Sequence, residues 1–505
     1  MSEGAGRLVI ASNRLPFVIT KVKGKKRKVI PGSGGLVTAM APVLKNRGGV
    51  WVGWPGTSET DIEGLLQKAS KDAGYSVKAV MLSDDEIQKY YYGLSNEVLW
   101  PLFHDLQSYC NFDPDYWEAY LSVNRKFAKA IAANIKPDDF IWVQDYQLIL
   151  VAQFLREMGV KNRIGFFMHI PFPPLDVFVK LPWRSDMLKG LAEYDLLGFQ
   201  TMRDRRNFIQ CLRTLTPHMS VKGKGHVVSV AVRDRTIRVG SFPISIDFNE
   251  FKDVAESEEV AEKAWFIHEH IPERKIVLGV DRLDITKGIP YRIAAFGKLL
   301  ELHPELREKI TLVQVVVPSR RTIPMYENLK ADIDKLVSEI NGKYTKSGWV
   351  PIHYIFRSMD RSELLAYYRT AEIALITPLK DGMNLVAKEY CASKIEENGV
   401  LILSEFAGAA AQLQKGAIMV NPYDIVQVAR AIHEACQMSE AERHRRMKKL
   451  RQSIRKQDIY WWVNSYLDAA IARKLDRFPV MEDYVPMVEV GNHKKKDRGE
   501  ASVQK

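Results

Sequence analysis

Short apolar runs alternate with longer helical stretches along this chain, and the series runs twice. In the first half, residues 7–12, 50–54, 77–82, 140–144, 163–169 and 196–200 read as strands, and a second series begins afresh at 275–280 and continues through 311–317, 352–355, 373–377, 400–404 and 417–420. Strands without a polar face, separated by helices, demand parallel sheets covered on both sides. Between the two series, Gly240 and Pro243 punctuate a brief apolar run ending at Asp247, which marks a crossing between two units. A chain of 505 residues also exceeds what one core of this kind encloses. The expected fold class is therefore α/β, with two doubly wound, Rossmann-like domains facing a central cleft. The expected divisions are residues 1–242 for an N-terminal domain, 243–462 for a C-terminal domain, 463–487 for a helix returning to the first domain, and 488–505 for a polar tail.

The formal charge of +12 raises the question of nucleic acid. Its distribution argues against that partner. Lys21 to Lys28 form one basic segment and His493 to Lys505 a polar tail, while Arg443 to Lys456 carries Met447, Leu450 and Ile454 at helical spacing, so its cations read as the wet face of an amphipathic helix. None of these clusters interleaves aromatics in a nucleic-acid signature. No apolar stretch reaches the roughly 18 residues of a membrane span, and Leu8 to Ala11 is too short for a secretory signal. A cytoplasmic enzyme is the expectation, compatible with a homo-oligomer. Cys110, Cys211, Cys391 and Cys436 lack disulfide or zinc spacing and read as small buried residues.

Ligands of doubly wound sheets bind beyond the strand C-termini, and the chemistry-bearing residues fall there. The run 373–377 leads through Asp381 and Gly382 into a helix that opens near Asn384 and carries Glu389. Free N–H groups and the positive end of that helix would favour phosphate or sugar oxygens. Arg282 and Lys287 follow the first strand of the second series and Arg320 the next, so fixed cations gather where a diphosphate could sit. In the first series, Arg14 and the glycines Gly32, Gly34 and Gly35 follow the first strand, and His169 ends a later one. A glycine cluster can also be a tight turn, a strand-end histidine can be a hydrogen-bonded structural residue, and Tyr91 and Trp100 can be core aromatics.

Asn13-Arg14, Gly34-Gly35-Leu36, Tyr90-Tyr91 with Asn96-Glu-Val-Leu-Trp100-Pro101, Trp142-Val-Gln-Asp145-Tyr146, the stretch from Gly165 through His169 to Pro173, Asp195 to Gln200, Arg282-Leu-Asp284 with Lys287-Gly288, and Asp381 to Tyr390 together resemble the trehalose-6-phosphate synthases. The similarity runs in order from about residue 7 to about residue 470. It implies the GT-B fold and retaining transfer of glucose from a nucleotide-glucose, UDP-glucose first among the candidates, to glucose 6-phosphate. By position, Arg282, Lys287, His169 and Asp381 would serve catalysis. Gly35, Arg282, Lys287, Asp381, Gly382, Met383, Asn384, Leu385 and Glu389 would hold the donor, and Arg14, Tyr91, Trp100, Asp145 and Arg320 the acceptor. The resemblance implies no metal and no cofactor beyond the co-substrate. Gln144 and Gln147, where many relatives carry histidine, leave acceptor detail open. A glucosylglycerol-phosphate synthase acting on glycerol 3-phosphate and a catalytically silent sugar-phosphate sensor are the alternatives.

Overall fold

The structure is a computed structural model that describes residues 6–21, 27–31, 37, 40–41, 43–45, 48–59, 62–271, 274–319, 324–475 and 477–486. In chain order the strands are β1 (Leu8–Arg14), β2 (Phe17–Lys21), β3 (Arg27–Pro31), β4 (Gly49–Trp54), β5 (Ser76–Ala79), β6 (Phe140–Gln144), β7 (Ile164–Phe167), β8 (Leu196–Phe199), β9 (Ser220–Lys222), β10 (Val227–Val232) and β11 (Arg235–Ser241), followed by β12 (Lys275–Arg282), β13 (Ile310–Val317), β14 (Ile352–Ile355), β15 (Ile373–Ile376), β16 (Val400–Ser404) and β17 (Ile418–Val420). Both expected strand series are present.

The first sheet has nine strands in the order β5-β4-β1-β6-β7-β8-β11-β10-β9. Its neighbours from β5 across to β11 pair in parallel, and β10 and β9 complete an antiparallel edge. The second sheet is wholly parallel, with the order β14-β13-β12-β15-β16-β17. Strand order reverses direction between β12 and β15, which opens a crevice beyond their C-terminal ends. Val9, Ile10 and Ala11 in β1 and Leu312, Val313 and Val315 in β13 are buried, as helices on both faces require. Met447, Leu450 and Ile454 are buried on the helix Glu440–Lys456, so its basic residues occupy the outer face. Cys211, Cys391 and Cys436 are buried thiols as expected, whereas Cys110 is only half-buried.

The helix at the chain's end differs from the expected span of 463–487. It runs Ile459–Ile471, opened by the Asp458 carboxylate accepting from the Trp461 N–H, and the described residues beyond it carry no helix. The Tyr466 ring stacks on Trp142 at 4.1 Å, and its hydroxyl donates to the carbonyls of Phe166 and Leu196. This helix therefore packs on the first sheet although the helix before it, Glu440–Lys456, packs on the second. Tyr460 is exposed and donates to Asp247. The tail 488–505 and the centre of the basic segment, residues 22–26, lie outside the described residues.

Candidate active site

Local chemistry fixes the loop after β12. Its last turn carries Asp281, whose carboxylate meets Arg292 at 2.5 Å in a fully buried pair, and Arg292 also donates to Thr377 and Gln314. Arg292 thus clamps the ends of three adjacent strands. The Asp284 carboxylate accepts from the Thr286 N–H and hydroxyl, folding residues Ile285–Lys287 into a tight turn. Gly288 then adopts φ 64°, and a β-carbon there would come within 2.6 Å of the Thr377 carbonyl, so only glycine lets this turn press against the end of β15. The Leu379 N–H donates to the Thr286 carbonyl and locks the two loops together.

That contact brings Lys287 and Asp381 together. The ammonium lies 2.5 Å from Asp381 Oδ2, with each side chain 14% exposed. Burial alone would raise the Asp381 pKa, but Lys287 overcomes it and holds the carboxyl below its ordinary value. The Asn384 side chain donates to Asp381 at 3.1 Å and accepts from the Ala387 N–H, capping the helix Leu385–Ser393. Asn384 reaches this pose at φ 80°, so the helix start is presented to the crevice at a cost of about 1–3 kcal/mol in local strain. Further along the helix, Glu389 accepts from the Tyr368 hydroxyl, and burial raises its pKa. Arg282 ends β12 as an exposed cation at the same edge.

The opposing wall comes from the first sheet. His169, just past β7, has Nε2 2.9 Å from Gln144 Oε1, and burial pushes its pKa down to about 3, so it is neutral. Since the amide oxygen can only accept, His169 carries its proton on Nε2. Its backbone N–H donates to Asp145, which turns the chain at φ 74° and whose pKa burial pushes up to about 7. The Arg14 guanidinium lies 4.5 Å over the Trp54 ring, and Tyr91 packs edge-on against the same ring at 5.6 Å.

The two walls touch. A β-carbon on Gly382 would fall 2.3 Å from the His169 carbonyl, so this glycine permits the donor loop to abut the first sheet's strand ends. The Trp100 indole N–H donates to Asp284 across the crevice at 3.3 Å, and Lys380 pairs with Asp105. Lys287, Asp381, Gly382, Met383, Asn384 and His169 accordingly converge, with Trp100 reaching the turn that carries Lys287. Arg14 and Tyr91 group separately at the Trp54 ring, beyond β1 and β4. Gly35 and Arg320 lie outside the described residues. Sequence reasoning missed Arg292 and His104, whose ring Nδ1 donates to the Trp100 carbonyl and whose pKa burial lowers to about 4. It also missed Lys388, fully buried, donating to the Ile244 carbonyl and to Gln412, its pKa pushed down to about 7. A charged residue spaced on the apolar side of a helix was the available signal for Arg292 and Lys388.

Comparison with known proteins agrees with this geometry. Residues 6–472 match the sequence profile of Glycosyltransferase family 20. The chain is 40% identical over 474 residues to the trehalose-6-phosphate synthase of Mycolicibacterium smegmatis, covering 93% of each protein. It is similar to the crystal structure of a UDP-forming alpha,alpha-trehalose-phosphate synthase from Burkholderia xenovorans in complex with glucose-6-phosphate, at 34% identity and a TM-score of 0.82, covering 92% of this chain and 100% of that one. It also resembles the E. coli protein bound with UDP-2-fluoro glucose, at 36% identity and a TM-score of 0.83, covering 92% of this chain and 99% of that one.

Proposed function

Because the chain belongs to glycosyltransferase family 20, we propose that it transfers glucose from UDP-glucose to glucose 6-phosphate with retention of configuration, giving trehalose 6-phosphate and UDP. The observation that carries this reading is the Lys287–Asp381 contact beside a capped helix start, in a GT-B arrangement of two doubly wound sheets. Breaking the bond between sugar and phosphate develops positive charge at the anomeric carbon and negative charge on the leaving diphosphate. Lys287 and Arg282 supply fixed cations where the negative charge grows, and the helix Leu385–Ser393 aims its free N–H groups at the same edge. Cationic side chains carry the compensating charge in this reading, and no metal or further cofactor is needed.

Asp381 accepts from sugar hydroxyls once the donor draws Lys287 toward phosphate, and Met383, Asn384 and Leu385 present backbone to the same sugar. Glu389 receives the ribose hydroxyls. Neutral His169, its Nε2 proton held by Gln144, borders the reacting sugar without adding charge beside the developing cation. The acceptor hydroxyl attacks on the face that the diphosphate leaves, and a diphosphate oxygen takes its proton, which preserves configuration. Arg14 and Arg320 grip the acceptor phosphate, with Tyr91, Trp100 and Asp145 lining its sugar, and Gly35 belongs to a loop over the donor. The cytoplasm is the proposed site of the reaction; among the described residues no helix is long and apolar enough to cross a membrane.

The test offers purified protein UDP-, ADP- or GDP-glucose with glucose 6-phosphate or glycerol 3-phosphate and identifies the product and its anomeric configuration. α,α-Trehalose 6-phosphate formed fastest from UDP-glucose is expected. A glycerol product would replace the reading with the glucosylglycerol-phosphate synthase, and inactivity with every pair would replace it with a sugar-phosphate sensor.

A further inference from the structure

At the end of the second domain opposite the crevice, three side chains from two places in the chain meet. His303 follows the helix Ile289–Leu302, Glu305 lies in the single turn Pro304–Leu306, and His433 lies in the helix Ile425–Gln437. The two imidazoles stack face to face, with centroids 3.8 Å apart and planes 10° from parallel. One oxygen of Glu305 faces both rings, 3.1 Å from His303 Nδ1 and 3.8 Å from His433 Nε2. The first distance is a hydrogen bond, whereas the second is too long for one. One potential ligand atom from each residue falls within 4.8 Å of the others.

The two nitrogen-to-oxygen distances match the ligand spacing of a bound cation. A tetrahedral zinc ion bonded at about 2.0–2.1 Å sets its ligands about 3.4 Å apart, and the two nitrogen-to-oxygen distances lie on either side of that value. Closing the site takes a turn of one imidazole, because the lone pairs of stacked rings run parallel. The histidine side chains are 23% and 31% exposed, so neither ring is locked, and Glu305 at 56% leaves a fourth position open to water. Two imidazoles and one carboxylate select zinc-like borderline cations over Mg²⁺ or Ca²⁺, which favour all-oxygen shells.

We propose that His303, Glu305 and His433 bind one divalent cation of the zinc class and that it fastens the far end of the helix Ile289–Leu302 to the helix Ile425–Gln437. The near end of the first helix begins beside Lys287. At 1.5 Å per residue its length puts the ion about 20 Å from that lysine, so the cation is structural and takes no part in transfer. Sequence spacing hid the site, since its ligands converge only after the second sheet is wound.

The full-length protein, stripped with EDTA and dialysed, is titrated with ZnCl₂ by calorimetry and with CoCl₂ by visible absorption, alongside His433→Gln, His303→Gln and Glu305→Gln. All three substitutions sit at partly exposed positions, and unchanged metal-free Tm values establish that the variants fold. Wild type is expected to bind one equivalent more than either histidine variant, to show the strong d–d band of tetrahedral Co²⁺, and to gain thermal stability with Zn²⁺ that the variants do not gain. Glu305→Gln is expected to weaken binding at least tenfold. Equal zinc stoichiometry in wild type and His433→Gln, a Co²⁺ spectrum of octahedral type, or a zinc-dependent Tm shift retained in the variants would each overturn the proposal.

Discussion

Lys287→Met separates the chemistry of the leaving group from the stability of the site. The ammonium meets Asp381 Oδ2 at 2.5 Å with both side chains 14% exposed, so the substitution strands a largely buried carboxylate. Breaking such a pair costs about 3–5 kcal/mol when it is fully dry. Here the Asn384 amide at 3.1 Å and the Met383 N–H at 3.4 Å still reach Asp381, and the residual exposure admits water, so a loss of about 1–3 kcal/mol is expected. The Asp381 pKa is depressed in the folded protein, so its contribution is present above the unfolded carboxylate value near 4 and is lost as pH falls through the folded value. The stability gap between wild type and variant should therefore be widest at neutral pH and shrink in acid. Catalysis should fall further: one fixed donor at a developing negative charge is worth about 10²–10³ in kcat. Urea denaturation and a coupled assay of UDP release read the two effects. Adding Asp381→Asn to Lys287→Met removes the stranded charge and should restore much of the stability while turnover stays lost. Near-normal kcat in the folded single variant, or a double variant no more stable than the single, would refute the reasoning.

Asp145, with its pKa pushed up to about 7, should give kcat/KM for the acceptor an inflection near pH 7 that disappears in Asp145→Asn; persistence of that inflection would assign it to another group. Arg14→Ala removes a charge-assisted contact of roughly 1.5–3 kcal/mol and should raise the KM for glucose 6-phosphate by about tenfold or more, with an unchanged KM counting against its acceptor role. Tyr466→Phe keeps the ring on Trp142 but takes the hydroxyl from two carbonyls of the first sheet, which should destabilise the protein by about 1–3 kcal/mol in urea without altering either KM.

The parallel strands were legible because their residues are apolar on both faces and lie between helices. The antiparallel parts were not. The hairpin of β2 and β3 pairs Thr20 with Lys28 and Lys21 with Arg27, so its polar, basic content reads as loop. β9 presents no buried residue, and its pairing with β10 depends on long-range contact. Residues Ile87–Leu99 form a π-helix, a winding that local periodicity does not distinguish from an α-helix. At the site, Lys287, Asp381 and Asn384 could be picked out because a glycine turn and a helix cap sit beside them in sequence. Trp100 with Asp284 and Gly382 with His169 could not be paired that way, since each contact joins residues from different sheets. The buried cations Arg292 and Lys388 hold strand ends and the connecting segment, tasks that a linear pattern does not encode.

The chain passes from the first sheet to the second after β11 and returns before the helix Ile459–Ile471, and these two passages run side by side. The Ile459 N–H donates to the Ile246 carbonyl at 2.9 Å and Tyr460 donates to Asp247, so they are stitched at one place. Two crossings fastened at one place act as a hinge, which holds the Lys287 wall in register against His169.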